Sequence, residues 1–203
     1  MQLNLLVAIG DDPSALYGVR FVSWFFRNKQ RVALTLYSTV PSGPQVWEEE
    51  KSFESLKEQE NGQGVLQAKY QKAQDAARKR LVQDGFQADK LETRCDPRSY
   101  SKAMDLIQEG ERGLYDAVVL GRRGIAGLEA LIEHSLTTEL HHEDVGCPVW
   151  VCRSPEQGRT GVLLCLDGSE QSFRMADHVG FILSEEKAHP VTLFQVQREA
   201  LGG

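Results

Sequence analysis

Apolar residues fall into two kinds of pattern over the first three-quarters of the chain: short continuous runs and longer stretches with helical spacing. Continuous runs bounded by polar residues predict buried strands, and steps of three and four residues predict amphipathic helices. The predicted strands are Leu3–Ile9, Arg31–Thr39, Lys90–Cys95, Asp116–Leu120 and Pro148–Cys152. Because a helix is predicted between each successive pair, the order predicts an α/β fold with a doubly wound, five-stranded parallel sheet.

The predicted helices are defined by their apolar faces. The second helix is expected to run to about Val82 after a break at Asn61–Gly64, and the Glu- and Lys-rich stretch from 46 to 60 indicates an exposed helix or an insertion. The third helix should take its cap from Asp96–Ser99 and bury Ala103, Leu106 and Ile107. The first and fourth helices have the inner faces Leu16, Val19, Val22, Phe25, Phe26 and Leu128, Leu131, Ile132, Leu136, Leu140.

The chain repeats its opening after a linker over residues 154–160. A shift of 157 positions places Leu6 on Leu163 and Leu36 on Leu193 without a gap. The repeated segment predicts a strand at Val162–Leu166, a turn with Asp167, a helix whose face includes Phe173, and a strand at Pro190–Val196. We therefore expect a complete domain at 1–153 and a partial second repeat at 161–203. A β-α-β fragment is too small to bury a core alone, so it should dock on the first domain or pair with a second copy.

Composition excludes several classes of protein. The net charge of −6 argues against a nucleic-acid partner, and no run approaches the roughly 20 apolar residues that span a bilayer. The amino terminus lacks a basic leader and a cleavage site, which favours a first strand over a signal peptide.

The four cysteines have no metal-type spacing, which favours reduced core thiols and a cytoplasmic protein. The adjacent His141, His142, Glu143 and Asp144 do not face one another on a helix, so no metal site is predicted.

A glycine turn follows the fourth strand. Gly121, Arg122, Arg123 and Gly124 are followed by nine residues and then by His134 and Ser135. A glycine turn between a parallel strand and a helix is where open α/β sheets bind anions. This segment resembles the carboxyl-terminal signature of the universal stress protein family, which is Gly, two residues, Gly, nine residues, Gly, then Ser or Thr. His134 stands where the family has its third glycine.

The resemblance implies the strand order 3-2-1-4-5 and a nucleotide site. The glycines and the hydroxyl would hold the phosphates of ATP with Mg²⁺, and the arginines add positive charge. His134 either donates to a phosphate, obstructs the pocket, or has neither role. The end of strand two, including Thr39, would contact adenine. Family members have an aspartate at the end of strand one, where this chain has Gly10; Asp11 and Asp12 follow and either take its place or cap the first helix.

Two functions remain open at this level. The protein binds ATP or AMP and changes its oligomeric or partner state, or its site is empty and it is an interaction module. No nucleophile elbow or adenylating motif occurs in the sequence, so no catalytic residue is predicted. The resemblance also implies a homodimer through strand five, where Trp150 is expected to be exposed. The second repeat offers another surface for the same purpose.

Overall fold

The computed structural model describes residues 2–11, 16–41, 53–121, 146–156 and 158–195, with side chains left out at 53–61 and 63. The chain forms two compact units, one of residues 1–25 and 29–154 and one of residues 26–28 and 155–203. Within the described ranges no helix is long and apolar enough to cross a membrane.

The first unit is built on a five-stranded parallel sheet with the order β3-β2-β1-β4-β5. The predicted fold class and strand order are therefore confirmed, and β3 lies at an edge as its charged residues indicated. Each boundary differs from its prediction by at most two residues. The strands are β1 (Leu3–Ala8), β2 (Val32–Val40), β3 (Leu91–Pro97), β4 (Ala117–Gly121) and β5 (Val149–Cys152).

Helices cover the sheet through the apolar faces that the sequence predicted. Helix α1 (Tyr17–Phe25) buries Val19, Val22 and Phe25, and α3 (Lys102–Arg112) buries Ala103, Leu106 and Ile107. Gly18 of α1 lets the helix approach the sheet, since a Cβ there would lie 3.3 Å from the Val119 side chain. The predicted fourth helix lies outside the described residues.

Helix α2 (Phe53–Gln83) is continuous, so the predicted break at Asn61–Gly64 is wrong. A glycine in a helix interior costs only about 1 kcal/mol relative to alanine, which the packing of the rest of a helix can offset. The carboxyl-terminal half supplies that packing, because Tyr70, Ala73 and Leu81 are buried. The positions of Gly62 and Gly64 face open space.

Trp150 in β5 is half-buried, contrary to the exposure predicted for it. Its ring lies 6.3 Å from the ring of Phe21 and 5.9 Å from that of Phe25, both edge to face. Edge-to-face packing is the favoured geometry for aromatic pairs. The exposed apolar side chain of β5 is Val151.

The second unit contains the predicted strand–helix–strand. Strand β6 (Val162–Leu166) pairs in parallel with β7 (Val191–Gln195), and α4 (Glu170–Leu183) connects them. One prediction fails, because Phe173 is exposed and the helix buries Ile182 and Ser172 instead. A two-stranded sheet offers too narrow a face to cover a full helical stripe.

Polar contacts define the ends of this second unit. The buried Glu186 carboxylate accepts N–H groups of Arg27 and Asn28 at 3.0 and 3.3 Å. The Nδ1 atom of His189 lies 2.9 Å from the Thr160 carbonyl oxygen. These bonds satisfy polar groups that would otherwise be buried without partners.

Candidate functional site

The candidate site lies at the carboxyl edge of the first sheet. The strand order reverses between β1 and β4, and ligands of open α/β sheets bind at such a switch point. Gly10 and Asp11 follow β1, Thr39 precedes the last residue of β2, and Gly121 ends β4. Since parallel strands end at the same edge, the structure brings these four predicted residues to one edge. The other predicted residues lie outside the described part of the chain: Asp12, Arg122, Arg123, Gly124, His134 and Ser135.

A buried hydrogen-bond network fixes the floor of this edge. The Ile9 N–H donates to the Tyr37 carbonyl oxygen at 2.8 Å, and the Ser38 hydroxyl donates to the Ile9 carbonyl oxygen at 3.0 Å. The buried Gln74 amide of α2 donates to the Leu36 carbonyl oxygen at 3.1 Å. Because these bonds join β1, β2 and α2, the strand ends are held in one fixed arrangement.

Arg98, which follows β3, closes over the end of β2. Its N–H donates to the Val40 carbonyl oxygen at 2.7 Å, continuing the β2–β3 ladder. Its guanidinium donates to the Thr39 carbonyl oxygen at 3.2 Å and lies 3.4 Å from the Thr39 hydroxyl. Arg98 also makes a side-chain hydrogen bond with Tyr70. Burial raises the pKa of the Tyr70 hydroxyl above its ordinary value. Thr39 is therefore buried beneath Arg98, and the positively charged guanidinium lies at the carboxyl end of β2.

Asp11 forms an ion pair with Lys69 of α2. The Lys69 ammonium donates to the Asp11 carboxylate at 3.0 Å, and this hydrogen bond is the largest effect that holds the pKa of Asp11 below its ordinary value. Asp11 does not cap α1, since that helix begins at Tyr17, six residues later. The Asp11 carboxylate is thus engaged by a cation of α2 and not by the start of α1.

Lys102 is the least favourably placed charge at this edge. It is partly buried, and this burial, followed by the charge of Arg98, lowers the pKa of its ammonium group, whereas the smaller effect of the Asp11 charge raises it. It is also the first residue of α3, where the helix dipole disfavours a cation. Among the described residues none forms an ion pair or a hydrogen bond with its ammonium.

The loop between Arg98 and the start of α3 is held by hydrogen bonds between backbone N–H groups and the side chains of Asp105 and Ser101. The buried Asp105 carboxylate accepts the N–H groups of Ser99 and Tyr100 at 3.1 and 3.0 Å. Ser101 is the N-cap of α3 and accepts the Met104 N–H at 3.1 Å, so the cap predicted within Asp96–Ser99 is wrong. An N-cap needs an extended backbone immediately before the helix, and Ser101 has it.

Sequence reasoning missed the cations of this site. Lys69 pairs with Asp11, the charge of Lys102 acts on Asp11, and the charge of Arg98 acts on Lys102, although these three cations lie on different segments. Arg98 and Lys102 had a usable signal, because any loop that follows a parallel strand reaches the ligand-binding edge. The sequence carried no such signal for Lys69, since its position at this edge depends on how α2 packs across the sheet.

Comparison with known proteins identifies one family and several similar solved structures. Residues 1–153 match the model of the universal stress protein family. No curated protein matches the chain. A structure of the universal stress protein from Archaeoglobus fulgidus is 14% identical with a TM-score of 0.48, covering 75% of this chain and 95% of that one. A structure of the universal stress protein from Archaeoglobus fulgidus in complex with dAMP is 16% identical with a TM-score of 0.47, covering 74% of this chain and 98% of that one. A hypothetical protein is 14% identical with a TM-score of 0.35, covering 98% and 99%.

Proposed function

The chain belongs to the universal stress protein family, and on that premise we propose that it is a stress-type regulator that binds ATP or AMP. Binding would take place at the carboxyl edge of the first sheet and would alter the oligomeric or partner state. The supporting observation is the group of cations at this edge, where Lys69 pairs with Asp11 and Lys102 lies within electrostatic range of both Asp11 and Arg98.

Lys102 carries most of this proposal. A partly buried ammonium beside an arginine and at a helix amino terminus raises the free energy of the unliganded fold. An anionic ligand would reverse all of these effects, because it would neutralise the charge, offset the repulsion from Arg98 and suit the helix dipole. Local rules of stability are broken mainly where function requires it.

The phosphates of the nucleotide are the groups that such cations would hold. Arg98 and Lys102 would donate to phosphate oxygens, and Mg²⁺ would share the charge of a triphosphate. Asp11 would accept a ribose hydroxyl after exchanging its bond with Lys69. We propose no catalytic role for these residues, because the described cluster consists of cations and a carboxylate already paired with one of them.

Titration calorimetry tests the proposal directly. Wild-type protein should bind ATP with Mg²⁺, or AMP, saturably at micromolar concentration, and binding should weaken as salt increases. The variant Lys102→Met should bind about tenfold or more weakly, since hydrogen bonds to charged groups contribute about 1.5–3 kcal/mol. Lys72→Met, which removes an exposed lysine of α2, is the matched control and should bind like the wild type. No heat at millimolar nucleotide would refute nucleotide binding.

A second function, an interaction module without nucleotide, is favoured by a different residue. His134 stands at the position of the third glycine in the family signature, where the resemblance would put a side chain at a point of close backbone approach. The variant His134→Gly separates the possibilities. Tighter nucleotide binding would identify the imidazole as an obstruction, and weaker binding would make it a ligand contact. If neither protein binds, the interaction function is preferred.

We also propose that the protein acts as a homodimer in the cytoplasm. Strand β5 is an edge of the first sheet, and Val151 is exposed on it, which supports edge pairing there. The four cysteines are unpaired thiols, consistent with a reducing compartment. Cross-linking of cell extracts at native expression would reveal the dimer, and a monomer band alone would contradict it.

A further inference from the structure

A cleft opens on the sheet of the first unit, in the amino-terminal half of its strands. The cleft has a volume of about 550 Å³, which is in the range of small-molecule sites. Its wall includes Asn4 of β1, Thr35 of β2 and Glu92 of β3, together with Gly113 and Tyr115 from the segment that follows α3. The candidate nucleotide site lies at the other, carboxyl end of the same strands, so the two sites are separate.

The end of α3 explains why this part of the sheet is open. Leu106 of α3 joins Leu6 of β1 in the core cluster on one face of the sheet. Thr35 is in register with Leu6 and therefore lies on the same face, as does Asn4, two residues before Leu6. Helix α3 ends at Arg112 and the chain turns from there into β4. The polar residues of this face that lie beyond the end of the helix therefore border the cleft.

The Thr35 hydroxyl faces this cleft from a buried position. Thr35 is only 7% exposed and lines the cleft, yet no residue in the described part of the chain hydrogen-bonds its hydroxyl. Ser38 and Thr39 of the same strand differ, since their hydroxyls contact the Ile9 carbonyl oxygen and the Arg98 guanidinium. A buried hydroxyl without a partner destabilises the fold by its lost hydration, and a ligand in the cleft would supply the missing hydrogen bond.

The ring of Tyr115 forms a fixed wall of the cleft. It packs against the core cluster beneath α3. It also lies directly on Gly113, where a Cβ would be 2.8 Å from one ring carbon and closer still to another. The glycine therefore admits the ring at this position. Aromatic rings attract cations through the negative potential of their faces, so this wall suits a positively charged ligand.

The charged side chains around the cleft also favour a cation. Among the described residues that line it, Asp89 and Glu92 carry carboxylates and Lys90 carries an ammonium group. The Lys90 ammonium already donates to the Gln30 carbonyl oxygen. Neither carboxylate forms an ion pair with any residue that the structure describes. Gly113, the C-cap of α3, adds the carboxyl end of a helix, which attracts positive charge as well.

The arginine that follows on β3 does not reverse this balance. Arg94 lies on the same face as Glu92, and its guanidinium donates to the Asp96 carboxylate at 3.1 Å and pairs with the buried carboxylate of Glu109. Glu109 also pairs with Arg112. Because this network contains two positive and two negative groups, the potential in the cleft is set by its own carboxylates.

We propose that this cleft binds a small aliphatic diamine in its ammonium form. An ammonium group has three donors and no acceptor, and the Glu92 carboxylate, the Thr35 hydroxyl and the Asn4 side-chain carbonyl would accept its hydrogen bonds. The alkyl chain would lie along the Tyr115 ring, and Asp89 would attract the second ammonium. The volume of the cleft leaves room for such a chain beside the charged group. This inference does not depend on nucleotide binding.

Titration with diaminobutane, followed by amide chemical shifts in NMR spectra, tests the proposal. Wild-type protein should bind the diamine saturably at millimolar concentration, whereas butanediol, its uncharged analogue, should not bind. Glu92→Gln and Thr35→Val should each weaken diamine binding by about tenfold, since each removes a hydrogen bond to a charged group. Asp75→Asn, which removes an exposed carboxylate of α2 outside the cleft, is the matched control and should bind like the wild type.

Three results would each overturn the proposal: no saturation by millimolar diamine, equal binding of butanediol, or an unchanged affinity after Glu92→Gln. Lys102→Met separates this cleft from the nucleotide site, because it should weaken the binding of ATP and not that of the diamine. A loss of diamine binding in Lys102→Met would place the diamine at the carboxyl edge and would also refute the cleft. Unchanged circular dichroism would show that Thr35→Val and Glu92→Gln remain folded.

Discussion

Replacing glycine by alanine should have opposite effects at two positions inside helices of the first unit. A Cβ at Gly64 of α2 would meet nothing within 4 Å. A Cβ at Gly110 of α3 would lie 2.9 Å from the Cys147 sulfur and closer still to the Val118 side chain. Both neighbours are buried in the cluster beneath α3, so neither has room to move.

The magnitudes follow from two opposing terms. Alanine is favoured over glycine in a helix interior by about 1 kcal/mol, which is the whole effect expected for Gly64→Ala. Overpacking a filled core costs about 1–3 kcal/mol and opposes that gain at Gly110. Since two neighbours would be contacted at less than 3.0 Å, the upper part of this range applies. We expect Gly110→Ala to lower the free energy of unfolding by about 1–2 kcal/mol net of the propensity gain.

Urea unfolding followed by tryptophan fluorescence measures both changes. Trp24 and Trp150 belong to the aromatic cluster of the first unit, the unit that contains both glycines. The midpoint should rise for Gly64→Ala and fall for Gly110→Ala at an unchanged slope, which separates stability from compactness. A midpoint for Gly110→Ala at or above the wild-type value would refute the close packing of α3 on β4.

Three further substitutions give distinct results. Leu114→Gly should raise the free energy of unfolding by about 1 kcal/mol in the same urea assay, because Leu114 is exposed and has a positive φ of 50° that suits glycine. An unchanged free energy of unfolding would show that the backbone at Leu114 is not strained. Burial raises the pKa of the Cys152 thiol from 9.0 to about 12. Between those pH values the unfolded chain loses a proton that the folded chain keeps, so the free energy of unfolding falls with rising pH, by at most about 1.4 kcal/mol per unit. Cys152→Ala should flatten that slope between pH 8 and 10, and equal slopes would contradict it. Lys102→Met should raise the melting temperature at pH 7 although it weakens nucleotide binding, whereas Lys72→Met should leave both unchanged; a lower melting temperature for Lys102→Met would count against the buried charge.

Much of the fold was predictable because its signals are local. The strands β1 and β4 are continuous or nearly continuous apolar runs, and Leu5, Leu6, Val118 and Val119 are fully buried, as central strands of a sheet covered on both faces require. The strand order came from the resemblance to a family, since alternating strands and helices fix the class but not the order. The predicted break in α2 failed because the cost of Gly64 is small and local, while the stability of a helix depends on its whole length.

The candidate site was less predictable because it combines residues that lie far apart in the sequence. Gly10 and Thr39 were predicted from the family resemblance, applied to strand ends that the apolar pattern defines. Arg98 and Lys102 were overlooked because the loop after β3 was interpreted as a helix cap, although Ser101 performs that task. The partner of Asp11, Lys69, becomes apparent only when α2 is placed against β2 and β3.

Helix α3 shows how to tell a functional irregularity from a tolerated one. Both of its ends break a local rule, with Lys102 in the first turn and Leu114 beyond the last. Leu114 is exposed and isolated, so its cost is a small backbone strain and no neighbour depends on it. Lys102 combines burial, a like charge at Arg98 and an opposing dipole, and all three are relieved by one kind of event, the arrival of an anion. Because one bound anion would offset all three destabilising effects, Lys102 is the residue on which nucleotide binding should first be tested.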